Sequence, residues 1–227
     1  INKIKRIMEA VKQEQKLSKD FLSLLTEKTS ISKSVEPIIT ELTEKEIEES
    51  LRVVVESFTE QELNEDSKEQ IKKLAKSLTD KKRNFVILSG NCGTGKTTLM
   101  NAVSRLIEAL RWNGNYNQST GLKIVPRGAK KVFATEVNKN TFELLQDWQG
   151  VLMIDDFGIE PISNNDFGTI KTPMIDLIMH RYEERLPIIF STNLSVDDIK
   201  KRYGDRITDR FRERAGLIKF TNKSYRK

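Results

Sequence analysis

The segment Gly90-Asn91-Cys92-Gly93-Thr94-Gly95-Lys96-Thr97 constrains this chain more than any other stretch. It follows the apolar run Phe85–Leu88 and opens a helical pattern over Thr97–Arg111, the strand–loop–helix setting in which GxxxxGK[ST] binds phosphate. Glycines let backbone N–H groups turn inward around phosphate oxygens, and the helix N-terminus adds positive potential. The expected cradle is Gly90, Asn91, Cys92, Gly93, Thr94, Gly95, Lys96, Thr97 and Thr98. Within it, the Lys96 ammonium can reach β- and γ-phosphates and the Thr97 hydroxyl can ligate Mg²⁺.

A second acidic element follows. Val151-Leu152-Met153-Ile154 reads as a central strand, and Asp155 and Asp156 emerge at its C-terminal end, where ligands bind in parallel sheets. Asp155 is expected to hold Mg²⁺ through water, and Asp156 to orient or deprotonate an attacking water. Asp156-Phe157-Gly158 also spells a kinase tripeptide, but no HRD-type loop accompanies it and the phosphate loop is of another kind. Ile188–Ser191 is a further strand, running into Thr192 and Asn193. Asn193 either contacts the γ-phosphate or the attacking water, or simply ends the strand in a polar turn. Arg206 and Arg210 lie four apart in Tyr203-Gly204-Asp205-Arg206-Ile207-Thr208-Asp209-Arg210-Phe211 and share one helical face. They read either as an arginine finger for a neighbouring subunit or as an exposed helix with charge pairs.

Around these motifs, strands and helices alternate from Asn84 onward. Val132–Thr135 is a second strand and Leu217–Phe220 a last one; helices are expected over Thr141–Trp148, Lys171–Glu184, Val196–Tyr203 and Asp205–Ala215. This order implies an α/β architecture with a mainly parallel five-stranded sheet. Trp112–Lys131 reads as a loop or weak hairpin. The first 80 residues read as helices: stripes at Ile4–Val11 and Phe21–Leu25, a break over Ser32–Pro37, a Thr43/Glu46 capping box opening a helix to about Leu63, and a helix through Ile71, Leu74 and Leu78.

Charge divides along the same line. Residues 1–80 carry 14 Lys and Arg against 17 Asp and Glu, and residues 81–227 carry 25 against 16. The chain therefore divides into a helical extension, 1–80, and a basic body, 81–227, suited to a polyanion. Aromatic residues are only 7% of the chain, so backbone contacts rather than base stacking are expected to dominate any nucleic-acid binding. One Cys (Cys92) and one His (His180) exclude a disulfide scaffold and a Cys/His zinc site, and suit a reducing, cytoplasmic setting. No apolar run of about 18 residues is present, so no membrane span is expected. The N-terminus has no signal-peptide pattern and no initiator Met, which leaves the native start open.

Taken in order, GNCGTGKT, VLMIDDFGIEP, IIFSTNL, YGDRITDRF and the terminal Ser224-Tyr225-Arg226 resemble the AAA+ ATPases of the DnaC, DnaI and IstB group over residues 84–227. The resemblance implies ATP and Mg²⁺ as cofactors, Lys96 and Thr97 as the Walker A pair, Asp155 and Asp156 as the Walker B pair, and Asn193 as sensor 1. It also implies a finger at Arg210, with Arg206 as runner-up, and a sensor-2-like role for Arg226. Many AAA+ proteins have Glu where Asp156 stands, which implies slow hydrolysis stimulated by DNA or a partner. Little sequence follows the last strand, which implies that the helical lid domain is absent. The implied function is loading a replicative hexameric helicase onto single-stranded DNA, with self-association on ATP and DNA and the variable extension gripping the helicase. The alternatives are an ATPase assisting a DNA transposase, and a nucleotide-binding switch with little turnover.

Overall fold

A computed structural model of the chain describes residues 35–112, 128–166, 169–221 and 224–225. The chain divides into two units, residues 1–35 and 36–227, and all of the described helices and strands lie in the second. The helical stripes expected at Ile4–Val11 and Phe21–Leu25 fall outside the described residues, as does 113–127, most of the expected loop or weak hairpin.

Helix α1 (Glu44–Thr59) starts where the capping box places it. The Glu46 N–H donates to Thr43 Oγ1 at 3.3 Å, and the Thr43 N–H donates to Glu46 Oε2 at 2.8 Å. Helix α2 (Glu65–Leu78) is capped by Asn64, whose Oδ1 accepts from the Ser67 N–H at 2.9 Å. Strand β1 (Phe85–Gly90) and helix α3 (Lys96–Trp112) then bracket the glycine-rich loop. Strand β2 (Ala129–Phe133) leads through a short 3₁₀ turn into helix α4 (Lys139–Gln146), and strand β3 (Val151–Phe157) follows. Two three-residue strands, β4 (Asn164–Asp166) and β5 (Thr169–Lys171), pair antiparallel beside the main sheet. Helix α5 (Pro173–Glu183), strand β6 (Ile188–Thr192), helix α6 (Val196–Arg214) and strand β7 (Ala215–Phe220) complete the order.

The main sheet runs β2-β3-β6-β1-β7 with every pairing parallel. Alternation along β1 divides the core. Val86 and Leu88 pack on one face with α1, α2 and α3, while Phe85 and Ile87 pack on the other with α5 and α6. Because β6 lies between β1 and β3, the loops leaving those two strands open a crevice at the carboxyl edge of the sheet, where such folds bind ligands.

Four expectations shift. The boundary expected at 80/81 lies inside one compact unit, because Ile47, Leu51, Ile71, Leu74 and Leu78 are buried in the same cluster as Val86, Leu88 and Ile218. Strand β2 begins three residues before the expected Val132 because Ala129 pairs with Val151 at the sheet edge, and it stops early where Ala134–Glu136 turns into 3₁₀. Helix α5 begins at Pro173 rather than Lys171, since proline suits a first helical position and Lys171 is already in β5. The two helices expected around Gly204 form one element interrupted there, at φ 82° and ψ 175°. A Cβ at Gly204 would meet nothing within 4 Å, so glycine serves only the backbone conformation. No described helix is long and apolar enough to cross a membrane.

Arg181, fully buried in α5, pins the base of the sheet. Its Nη1 donates to the carbonyls of Leu145 (3.3 Å) and Trp148 (2.7 Å), and its Nη2 to those of Gly150 (2.6 Å) and Pro187 (2.9 Å). These carbonyls close the end of α4 and the starts of β3 and β6. Arg181→Met keeps the aliphatic stem and strips the donors, so stability in urea should fall by about 3 kcal/mol, the scale of leaving buried polar groups unpaired. A loss below about 1 kcal/mol would show that the guanidinium is not what holds these segments.

Candidate functional site

The glycine-rich loop is shaped by its backbone. Gly93 and Gly95 hold φ of 76° and 95°, the left-handed region that turns successive N–H groups to one side. A Cβ on Gly90 would lie 2.4 Å from the Phe220 carbonyl oxygen, so the loop leaves β1 pressed against β7. Lys96 is 6% exposed, and its Nζ donates to the Gly90 and Asn91 carbonyls, both at 2.7 Å, and to Asn193 Oδ1 at 2.8 Å. The ammonium thus sits inside the loop, bonded to Asn193, the residue that follows β6.

Strand β3 presents its carboxylates through a bulge. Ile154 pairs with Phe190 and Phe157 with Thr192, so three steps along β3 match two along β6. Regular alternation would send Asp155 and Asp156 to opposite faces; the extra residue re-aims them. Asp156 takes φ 57°, a left-handed value that aspartate tolerates better than most side chains. Its N–H donates to Ser191 Oγ at 3.0 Å, and the Ser191 hydroxyl in turn donates to Asp155 Oδ1.

Asp155 is 1% exposed. Its Oδ1 also accepts from the Thr97 hydroxyl at 3.1 Å, and its Oδ2 pairs with Lys131 Nζ at 3.0 Å. Burial opposes the charge, but the hydrogen bonds from Ser191, Lys131 and Thr97 and the charge of Lys131 outweigh it and hold the carboxyl below its usual value. Asp155 is therefore an anion beside the Thr97 hydroxyl. No group of three or more His, Cys, Asp or Glu able to hold a metal exists among the described residues. The donors here are one hydroxyl and one carboxylate, a set that fits an Mg²⁺ completed by phosphate oxygens and water.

A cavity of about 600 Å³ opens over the loop. Gly95, Lys96, Thr97, Asp156 and Asn193 line it together with the apolar side chains of Val55, Leu63, Ile71 and Phe220. Cys92, Gly93, Thr94 and Thr98 also face it, so the expected cradle residues from Cys92 to Thr98 meet at one place, while Gly90 and Asn91 contribute the carbonyls that hold Lys96. A polar cradle with an apolar extension fits a nucleoside triphosphate.

The arginines stand elsewhere. Arg206 and Arg210 do not line this cavity. Arg206 is exposed, and the Arg210 guanidinium lies 4.6 Å from the centre of the Tyr182 ring. Arg226 lies outside the described residues. Sequence reasoning missed Ser191, Lys131 and Tyr225. Tyr225 donates its N–H to the Gly93 carbonyl at 2.9 Å, and its hydroxyl meets Asn64 Nδ2 at 2.9 Å and Ser67 Oγ at 3.2 Å, which ties the loop to the start of α2. Ser191, directly after the apolar run Ile188–Phe190, was a faint signal for the first; Tyr225 lies in the terminal Ser224-Tyr225-Arg226 motif without its contacts being readable from it, and nothing in the pattern marks Lys131.

Fold and site together define an α/β P-loop protein of the AAA+ kind. The IstB-like ATP binding protein family matches residues 4–227, and the chain belongs to that family. Among solved structures, DnaI matches with a TM-score of 0.54 and 22% identity, over 78% of this chain and 93% of that one. The replication initiator DnaA bound to AMPPCP and single-stranded DNA matches with a TM-score of 0.52 and 15% identity, over 75% of this chain and 50% of that one. The DnaC helicase loader matches at 0.47 and 18%, over 70% of this chain and 92% of that one. At these identities the likeness to DnaI and DnaA is one of fold. No curated protein sequence matches the chain.

Lys96→Ala removes the one ammonium bonded inside the loop, so ATP affinity by calorimetry should fall on the order of a hundredfold, the scale of losing a charge-assisted contact to phosphate. Unchanged affinity in a folded Lys96→Ala protein would remove the nucleotide assignment.

Proposed function

We propose that this chain is an ATP-hydrolysing loader that places a replicative hexameric helicase on single-stranded DNA, in the manner of DnaC and DnaI. The observation that carries the proposal is a division of groups. Lys96, Asp156 and Asn193 line one cavity, while the arginines of α6 stay outside it. A site with base, sensor and phosphate cradle but no arginine among its described lining residues is one that a second copy completes.

The triphosphate takes the place that the Gly90 and Asn91 carbonyls now hold at Lys96. Thr97 and Asp155 would hold Mg²⁺, which when bound neutralises charge on the phosphate oxygens. Asp156 accepts a proton from, or orients, the water that attacks the γ-phosphoryl group, and Asn193 fixes that water or the phosphate. Arg210 is the first choice for the finger, since stacking on Tyr182 holds its guanidinium in a set direction; Arg206 is the alternative. ATP would thereby hold neighbouring copies together, and hydrolysis would release them. The order of the later motifs and the fold shared with DnaI support the loader role. The basic body supports the DNA contact, and the exposed acidic faces of α1 and α2, with Val53 and Phe58 exposed among them, support a helicase grip by the N-terminal part. The IstB-like family description favours a second reading, an ATPase that assists a DNA transposase.

One set of turnover assays tests the proposal. Arg210→Ala and Lys96→Ala chains should each be nearly inactive, about a thousandfold or more below the native chain for the finger. Their mixture should recover part of the activity, and single-stranded DNA should stimulate it more than duplex. Normal turnover by Arg210→Ala moves the finger to Arg206 or eliminates it, and stimulation by duplex alone supports the transposase reading.

A further inference from the structure

Lys131 has no part in the reading above, yet it is in direct contact with the most buried acid of the site. It lies on β2, the edge strand, with its side chain 26% exposed; the Asp155 side chain is 1% exposed. Lys131 Nζ lies 3.0 Å from Asp155 Oδ2, and also donates to Asn101 Oδ1 on α3 at 2.9 Å. The other oxygen of Asp155 is taken by the hydroxyls of Ser191 and Thr97. Two neutral donors and one ammonium therefore surround the carboxylate. The hydroxyls satisfy lone pairs, whereas Lys131 supplies the opposite charge that a buried anion requires.

We propose that Lys131 is a resident counter-ion for Asp155 and sets how strongly nucleotide binding depends on Mg²⁺. The proposal rests on the ATP and Mg²⁺ reading above. A divalent cation held by Thr97 and Asp155 and the Lys131 ammonium compete for one carboxylate, and two cations beside it repel each other. Binding the metal therefore costs the Lys131–Asp155 pair. Lys131 can yield without repacking the core, because its strand is at the sheet edge, its side chain reaches solvent and Asn101 already holds one of its protons. Lys131 is thus a positioning residue: it holds the Asp155 carboxylate in place when no metal is present, and it lowers the net gain when the metal arrives.

Calorimetric titration of ADP in Mg²⁺ and in EDTA, with the native chain, Lys131→Met and Lys131→Arg, reads this directly. For each protein the ratio of Kd in EDTA to Kd in Mg²⁺ is compared. Removing the competing charge should widen that ratio by about tenfold or more in Lys131→Met, the scale of losing one close charge pair. Lys131→Arg should leave the ratio near the native value. An unchanged or narrower ratio in Lys131→Met overturns the proposal, and a native chain with no Mg²⁺ effect at all removes the metal reading beneath it. A second measurement uses the native chain alone, so that a folding defect in the variants decides nothing. Amine-reactive labelling of Lys131, read by mass spectrometry, should rise several-fold with ADP and Mg²⁺ over ADP and EDTA. Equal labelling means that Lys131 stays on Asp155, and the competition does not exist.

Discussion

The Ser191 hydroxyl, donating to one aspartate and accepting from the next, is the contact on which the acidic half of this site depends. Consecutive residues of a strand face opposite ways. Asp155 and Asp156 both meet Ser191 where β3 carries an extra residue between its pairings with Phe190 and Thr192. That residue costs a ladder bond and a left-handed backbone at Asp156. Ser191 offsets both, satisfying the freed N–H and anchoring the buried carboxylate. Thr192 extends the same logic one step further, its hydroxyl donating to the Phe157 carbonyl at 2.6 Å. Strand β6 is thus the template on which the acidic end of β3 is shaped.

The far end of β3 is joined to the helix that bears the arginines. Phe157 stacks on Tyr203 with ring centres 4.6 Å apart and planes 13° apart. Buried Glu160 accepts from the Tyr203 hydroxyl and from the Gly158 N–H, and its carbonyl accepts from Arg202. Burial, then the hydrogen bond and negative charge of Glu160, push the Tyr203 phenol far above its ordinary value, so it remains a donor. All these contacts fall before Gly204, whose conformation interrupts α6. Arg206 and Arg210 come after it. Gly204 therefore divides one helix: its first half holds the loop that follows β3, and its second half, which bears the arginines, packs on Phe157 and Phe190 through Phe211. A change at Asp155–Asp156 has a short packed route to the arginines that the proposed neighbour would use.

Much of this was legible in the sequence because it is local. The phosphate loop, its flanking strand and helix, the acidic strand end and Asn193 are fixed by spacing along a few residues, and the Thr43/Glu46 cap is a four-residue pattern. What escaped depends on register and on distant contacts. A bulge is a mismatch between two strands, and neither Val151–Phe157 nor Ile188–Thr192 records it alone. Lys131 meets Asp155, and Tyr225 meets Asn64, across 24 and 161 positions that no local pattern links. The helices of residues 44–78 were read as an extension because their exposed faces are acidic. Their buried stripe of Ile47, Leu51, Ile71 and Leu74 was visible, but not that the sheet covers it. Strands β4 and β5 have three residues each, too short for alternation to register.

We propose that the bulge gives two adjacent aspartates different work, and separate amide substitutions tell the two roles apart. Asn tolerates the left-handed backbone at 156 and keeps the size of either side chain. ATP affinity in Mg²⁺ and in EDTA should be measured by calorimetry for Asp155→Asn and Asp156→Asn, beside turnover. Asp155→Asn should lose the Mg²⁺-dependent part of the affinity and keep the metal-free part. Asp156→Asn should bind ATP as the native chain does and fail to hydrolyse it. Equal losses of Mg²⁺-dependent affinity in the two variants would contradict the division of labour that the bulge is argued to create.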